Sequence, residues 1–546
     1  MPGGLMNLIS YGVENIILNG DPKKTFFKVV YSRYTNFGMQ KFRLDFRGQN
    51  ALRMNEETTM KFPVPRYADL LNDVYVVVDL PDIWSPIYVT TDPSGIVPYE
   101  FKWIEELGAN MIKEVVVLAG GQRLTNYSGE YISCVKERDF SNAKKGLFNR
   151  MTGNIADFND PANSNGYPGY PNAAILPPLA PPVTLLEPSI RGRQLYIPLE
   201  CWFCRSSKVA FPLVSTQYAE VEIQVTFRPI RELYMIRNVT SDTASSYVTP
   251  DTLVDVSSVY IAPNAGNPAH QFYHFIQQPE TDISNVLVYA SEQVVWKPDI
   301  HLMATYIFLD DRERQVFARG SQEYVVRLPN EIDFLNVVGP RTVNLNSVGL
   351  ISSYMWRFRR SDAYTRNTWA NYTNWPYNVP TYSLDQIPGI LTFGNSTFFT
   401  QPIQNENVKS ILVELGIVID GKYRENVLRE GVYNYVEKFL QTSGGAKDGL
   451  YCYNFCINSD LADTQPSGAM NMSKYSNVDM ELTTLIPPQD PSASFVVICD
   501  PETEEPVGIR KTNQSLYMYT YDLRVFEERY NVVVFESGLA GLKYAR

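Results

Sequence analysis

The chain has 546 residues, 44% of them hydrophobic and 20% charged, with a formal net charge of −11. That length exceeds a single core and predicts two to four units at about 100–200 residues each. The mixture excludes a disordered chain, and no run approaches the roughly 18 apolar residues of a membrane-spanning helix.

The acidic balance argues against a protein that wraps nucleic acid, because neutralising phosphates needs a basic surface. Six cysteines over this length do not make a disulfide scaffold, so a reducing compartment is the simpler expectation. Gly and Pro together number 68, and Tyr and Phe 63. Many turn-formers among many aromatic residues predict short strands joined by elaborate loops.

The start, Met1 to Leu5, has no positive flank leading into an apolar core, so no secretory signal is expected. Residues 1–24 are read as an N-terminal arm. Between 22 and 44 lie six basic residues (Lys23, Lys24, Lys28, Arg33, Lys41, Arg43) and no acid. Aromatic residues are interleaved with them, and those from Tyr31 to Phe42 are expected to fill the first sandwich.

A strand-rich block follows over 25–236. Val74–Val78 and Glu114–Leu118 are apolar runs expected as strands buried on both faces. Residues 161–186 carry no charge and 161–188 hold eight prolines, which predicts a packed loop. In Tyr218–Phe227, Val221, Ile223, Val225 and Phe227 alternate with polar residues, the period of a half-buried strand.

Residues 237–251 read as a connector, and a second strand-rich block spans 252–546. Asp310 is placed to cap a helix through Glu313 and Val316 that stops near Gly320. Tyr354, Trp356 and Phe358 alternate with Met355, Arg357 and Arg359, as Ile411, Val413, Leu415, Ile417 and Ile419 do with their neighbours. One internal echo appears: the apolar strands at 112–117 and 408–413 each open into a Gly-plus-basic turn, Gly121-Gln122-Arg123 and Gly421-Lys422-Tyr423-Arg424. Other helical signals are few and short. The reading is all-β, with antiparallel sandwiches or barrels.

Catalytic chemistry is poorly supplied. His270 and His274 have the i, i+4 spacing of a helical metal pair, but Gln271 stands where a zincin has Glu. Ordinary structural histidines are expected there, and His301 is isolated. Cys201 and Cys204, read as strand residues, would point to opposite faces; Cys452 and Cys456 are more loosely spaced, so buried thiols are expected rather than zinc. Asp310, Asp311 and Glu313 alternate with Arg312 and Arg314 and read as a solvated or capping cluster. No phosphate-binding loop or nucleophile elbow occurs. Six N-x-[ST] sequons, at Asn126, Asn238, Asn371, Asn395, Asn471 and Asn513, read as chance matches in an Asn-rich chain. The expectation is no catalytic, cofactor-binding or metal residue and no enzyme.

Several ordered segments carry a resemblance. They are Gly3-Gly4-Leu5 through Thr25-Phe26-Phe27-Lys28 and Tyr31-Ser32-Arg33-Tyr34-Thr35-Asn36-Phe37; Pro198 to Arg205 with Phe211-Pro212-Leu213 and Gln217-Tyr218; and Tyr306 to Asp310 with Glu313-Arg314. Trp369-Ala370-Asn371-Tyr372, the Gln465-Pro466-Ser467-Gly468 run reaching Ser473, and Ser537 to Leu542 with Tyr544 complete the set. Together the chain resembles the double jelly-roll major capsid proteins of nucleocytoplasmic large DNA viruses. Glu200 stands where that family more often has an apolar or aromatic residue, and 161–188 and 361–405 look longer or more divergent.

The resemblance implies two consecutive eight-stranded antiparallel jelly-roll sandwiches. It implies a homotrimer whose six rolls form a pseudo-hexagonal capsomer, tiling an icosahedral virion shell with neighbouring capsomers and with minor capsid and penton proteins. Assembly in the host cytoplasm and a genome held behind an inner membrane, with no direct contact between nucleic acid and this protein, also follow from it. The basic residues Lys23, Lys24 and Lys28 add the expectation of an arm that touches minor capsid proteins or the inner viral membrane. The rival readings are a jelly-roll spike or fibre that binds a receptor or glycan, which exposed Trp and Tyr would serve, and a cupin-like enzyme, which needs clustered histidine ligands.

Overall fold

The alternation at Tyr218–Phe227 is realised as a strand over Val221–Phe227, with Val221, Ile223, Val225 and Phe227 buried and Glu222, Gln224 and Thr226 half-exposed. The computed structural model describes residues 3–48, 51–85, 99–164, 170, 187–238, 259–278, 280–281, 287–288, 295–376, 390–393, 396–399, 408–445, 447–490, 493, 496–499, 503, 505–510 and 516–544. Most of loop 161–188, most of connector 237–251, part of 361–405, and the sequons at Asn395 and Asn513 lie outside the described residues.

Eight strands make a first sandwich: β1 (Phe37–Leu44), β2 (Thr58–Pro63), β3 (Leu70–Asp79), β4 (Ile112–Ala119), β5 (Gln122–Tyr127), β6 (Gln194–Pro198), β7 (Val221–Phe227) and β8 (Ile300–Leu309). One sheet has the order β1-β8-β3-β6 and the facing sheet β2-β7-β4-β5, with every pair antiparallel. Eight more make a second: β9 (Gln322–Val337), β10 (Pro340–Asn344), β11 (Leu350–Arg360), β12 (Leu412–Ile419), β13 (Lys422–Arg429), β14 (Leu450–Asn454), β15 (Val478–Thr484) and β16 (Tyr521–Glu536). Its sheets are β9-β16-β11-β14 and β10-β15-β12-β13. The second order is the first with eight added to each label, so both sandwiches are the same jelly roll. The likeness extends to small additions: Phe211–Pro212 pairs with β3, and Met470–Asn471 with β11.

The internal echo falls on equivalent hairpins. β4–β5 turns through Gly120 (φ +58°) and Gly121 (φ +81°), and β12–β13 through Asp420 (φ +46°) and Gly421 (φ +75°). Two successive positive φ angles make the turn that matches strand twist, which Gly and Asp tolerate.

Strand pairing corrects the expected division of the chain. β8 lies between β1 and β3, so the first roll closes only at Leu309, well beyond the expected end at 236. A sequence pattern marks strands without saying which sheet each completes. The structure also corrects the alternation at 411–419. Ile411 and Leu412 are both buried and Val413 is 40% exposed, because the register slips between Leu412 and Glu414. One extra residue in a bulge turns the following side chains over.

Helices are more extensive than expected. Between β5 and β6 stand α1 (Gly129–Asp139), with the Ser128 hydroxyl accepting from Tyr131 N–H, and α2 (Asn142–Thr152). The expected helix after Asp310 is α3 (Asp311–Arg319), ending at Gly320, although the Asp310 side chain makes no capping hydrogen bond. After β13 a π-turn over Val432–Val436 runs into α4 (Glu437–Gln441). The N-terminal residues make short helical turns, Met6–Ile9 and Ile16–Asn19, each preceded by a 3-10 turn (Gly3–Leu5 and Val13–Asn15), and residues 16–40 are all exposed. Tyr31, Tyr34 and Phe37 therefore do not fill the first sandwich, although Phe37 begins β1; of that stretch only Phe42 packs on the core.

Candidate functional site: the buried joint between the rolls

β11 alternates Tyr354, Trp356 and Phe358 with Met355, Arg357 and Arg359, yet both of its faces are buried over most of its length. Tyr354, Trp356 and Phe358 fill the core of the second roll, while Met355 packs with the core of the first and Arg357 is 1% exposed. The outward face of sheet β9-β16-β11-β14 is thus covered by the first roll, chiefly by α1. Val326, Leu328, Phe526, Val533 and Phe535 of this sheet join the first core. Covering apolar surface on this scale makes the two rolls one body.

Charges in the joint are paired across it. Glu130 at the start of α1 accepts from Arg357 at 2.5 and 2.9 Å, from Arg359 at 3.3 Å and from Arg524 at 3.1 Å. Burial alone would raise the Glu130 carboxyl; the three guanidinium groups hold it well below the usual carboxylate range. At the other end of α1, Arg138 meets Glu528 at 2.9 Å and Asp139 at 2.7 Å. Tyr131 and Ser353 hydroxyls donate to the same Glu528 at 3.1 and 2.7 Å. Against the cost of burial, Arg138 and Arg327 bring Glu528 down to about 2. A third cluster joins Glu106 to Lys136 at 3.3 Å and to Lys447 of the second roll at 2.9 Å, with Ser133 also donating. Burial is again overcome there, by Lys447 and Lys136, and Glu106 is brought down to about 2. A lone buried charge would cost several kcal/mol, so each carboxylate fixes where the opposite roll's cations sit.

Three of the motif segments meet at this joint. Arg205 donates to the carbonyls of Glu200 at 3.1 Å and Arg327 at 3.4 Å. Trp369 Nε1 donates to Glu232 O at 2.9 Å, and Tyr372 is buried beside Cys134. Tyr218 N–H donates to Gly538 O at 3.0 Å, which ties the Gln217-Tyr218 segment to the C-terminal Ser537–Leu542 turn. Sequence reading missed α1 and the charges it buries. The available signals were the Ser128 cap with Glu130 in the first turn, and the charged run Glu527-Glu528-Arg529 set between apolar Val525-Phe526 and Val532-Val533-Val534.

The weighed chemical candidates lie elsewhere. His270 and His274 end two separate 3-10 turns, and His270 Nδ1 accepts from Asn264 N–H at 3.0 Å. His301, on β8, lies 3.4 Å from Asp299. Cys204 sits in a one-turn helix, Trp202–Arg205, not in a strand; its Sγ accepts from Val74 N–H, while Cys201 meets Tyr127 OH at 3.3 Å. Cys452 and Cys456 are buried and free. Asp311 pairs with Arg314, which reaches Asp69 of the first roll at 2.8 Å. Among the described residues no three His, Cys, Asp or Glu side chains are grouped to hold a metal.

Residues 25–310 match the family described as Major capsid protein N-terminus, and residues 313–541 match Large eukaryotic DNA virus major capsid protein. The chain belongs to the major capsid proteins of large eukaryotic DNA viruses. This capsid protein is 25% identical to "Probable capsid protein 4" of Acanthamoeba polyphaga mimivirus, over 88% of the chain and 93% of that relative. It is 24% identical to the Major capsid protein of Phaeocystis pouchetii virus, over the full length of both. Its fold matches the PBCV-1 virus capsid with a TM-score of 0.59 at 19% identity, covering 96% of this chain and 100% of that one. The two family matches divide the capsid protein between 310 and 313, where strand pairing closes its first roll.

Proposed function

We propose that this major capsid protein works as a homotrimer whose six jelly rolls make one pseudo-hexagonal capsomer of an icosahedral shell. The observation that carries the reading is the joint: two rolls of one topology, locked by buried ion pairs into a rigid pair that is one third of a six-roll capsomer. Neighbouring capsomers, minor capsid proteins and penton proteins are its partners, and assembly takes place in the host cytoplasm. Its work is structural, without catalysis or direct contact with nucleic acid. Light scattering on the purified chain tests the reading and should return about three times 62.2 kDa. A monomer across micromolar concentrations, with no trimeric particles in micrographs, removes it.

The arm supports a second element of this reading. Phe26 and Phe27 are fully exposed beside Lys23, Lys24 and Lys28, which suits the anionic inner membrane beneath the shell. Each basic residue contributes about 1 kcal/mol near such a surface, weak singly and firm when many copies act together.

A further inference from the structure

α1 and the segment Val432–Gln441 are equivalent elements, each following the last strand of its hairpin, β5 or β13, and preceding β6 or β14. Their fates differ. Along α1, Tyr131, Ile132, Cys134 and Val135 are at most 1% exposed, because α1 lies on the outward face of the second roll's sheet. Along Val432–Gln441, Tyr435, Val436, Phe439 and Leu440 are 50, 47, 87 and 65% exposed. Their i, i+1, i+4, i+5 spacing puts all four on one helix face, an apolar stripe where a solvated helix carries polar groups.

The sheet faces differ in the complementary way. On the second roll, α1 covers the outward cross-strand row Met355, Phe526 and Cys452; the Tyr131 and Phe526 rings are 5.9 Å apart. The same strands of the first roll place Tyr75, Met303 and Pro198 in one outward row, with Tyr196 beside Tyr75 at 6.1 Å between rings. These four are half-buried and, among the described residues, join no core cluster and have no helix over them.

We infer that the α4 face of one copy seats on the β1-β8-β3-β6 face of a second copy, with Phe439 as its anchor, repeating between chains the joint that α1 makes within one. The occupant is a second copy because the chain itself shows this helix position seated on this sheet. Two different patches meet in such a contact, so it is head-to-tail and builds a ring rather than a two-fold dimer. The inference rests on the capsomer reading and assigns its contact.

Phe439 is almost fully exposed, so Phe439→Glu should leave the circular dichroism spectrum and melting temperature of the fold unchanged. It should raise the concentration for half-association by about tenfold or more, as loss of an aromatic anchor does. Benzoylphenylalanine at position 439 should photo-crosslink between copies to residues within 37–43, 75–79, 194–198 or 301–305. Wild-type trimers with undiminished association of Phe439→Glu, or crosslinks to other surfaces, overturn this contact and leave the capsomer intact. A monomeric wild-type chain overturns both.

Discussion

Glu130 shows why the joint holds a single geometry. Its carboxylate is 2% exposed and is shared by three arginines, of which Arg357 is itself 1% exposed. Glu130→Gln leaves buried Arg357 and half-buried Arg359 side by side without that acid. The expected loss is about 3–5 kcal/mol, read from the urea midpoint, and adding Arg357→Met should return much of it. Acid probes the other two clusters. Glu106 and Glu528 both lie near 2 in the folded chain, below the ordinary value of 4.5, so their contribution is complete above about pH 4.5 and disappears as the pH falls toward 2. Burial raises the Asp139, Glu200 and Glu331 carboxyls instead, so protonating these three eases the joint and softens the loss. The melting temperature should hold from neutral pH to about 5 and drop steeply below about 4.5. Glu106→Gln should flatten that drop; an unaltered profile would exclude Glu106 from it.

The loop Gln465–Ser473 braces itself, as short polar side chains around Pro and Gly do. Ser467 Oγ donates to Asn458 O at 3.0 Å and accepts from Asn458 N–H at 3.1 Å, and Asn471 Oδ1 accepts from Ser473 N–H. Gly468 has φ +136°, and a Cβ there would stand 3.1 Å from Phe455 O. Gly468→Val should therefore lower the yield of folded trimer; intact trimers that fail only in lattice formation would make the loop a capsomer contact. The arm has the opposite character. Removing residues 1–24 takes away, among the described residues, exposed side chains and the half-exposed Asn15, so trimers should melt within about 0.5 kcal/mol of wild type yet enter shells poorly. Equal incorporation of truncated and full-length chains would make the arm dispensable. Strands such as Val221–Phe227 were legible because one face meets a core and the other does not. α1 was not, because a helix buried on most sides loses the polar stripe that announces it, and its charges are answered by residues more than 200 positions away, Arg357 among them. Which sheet a strand joins is likewise decided by distant pairing, as β8 shows.

Across the full chain, the joint should make both rolls unfold together. A calorimetric scan of the capsid protein is expected to show one transition, and Glu130→Gln to separate it into two; two transitions in the wild type would mean that the joint does not couple the rolls. The distant pairing of β1 has a consequence for how the protein is made. Leu44 is paired in register with Leu302, and among the described residues β1 has no other strand beside it. At about 5–20 residues per second, a ribosome needs roughly 10–50 s between releasing the two. Throughout that interval the first roll lacks the strand that divides β1 from β3, and its apolar interior stays open to solvent. The second roll waits longer still, since β9 closes on β16 near the end of the chain. Each newborn subunit therefore passes through a period of exposed strand edges, and crowded synthesis of many copies favours those guarded by a chaperone until translation ends.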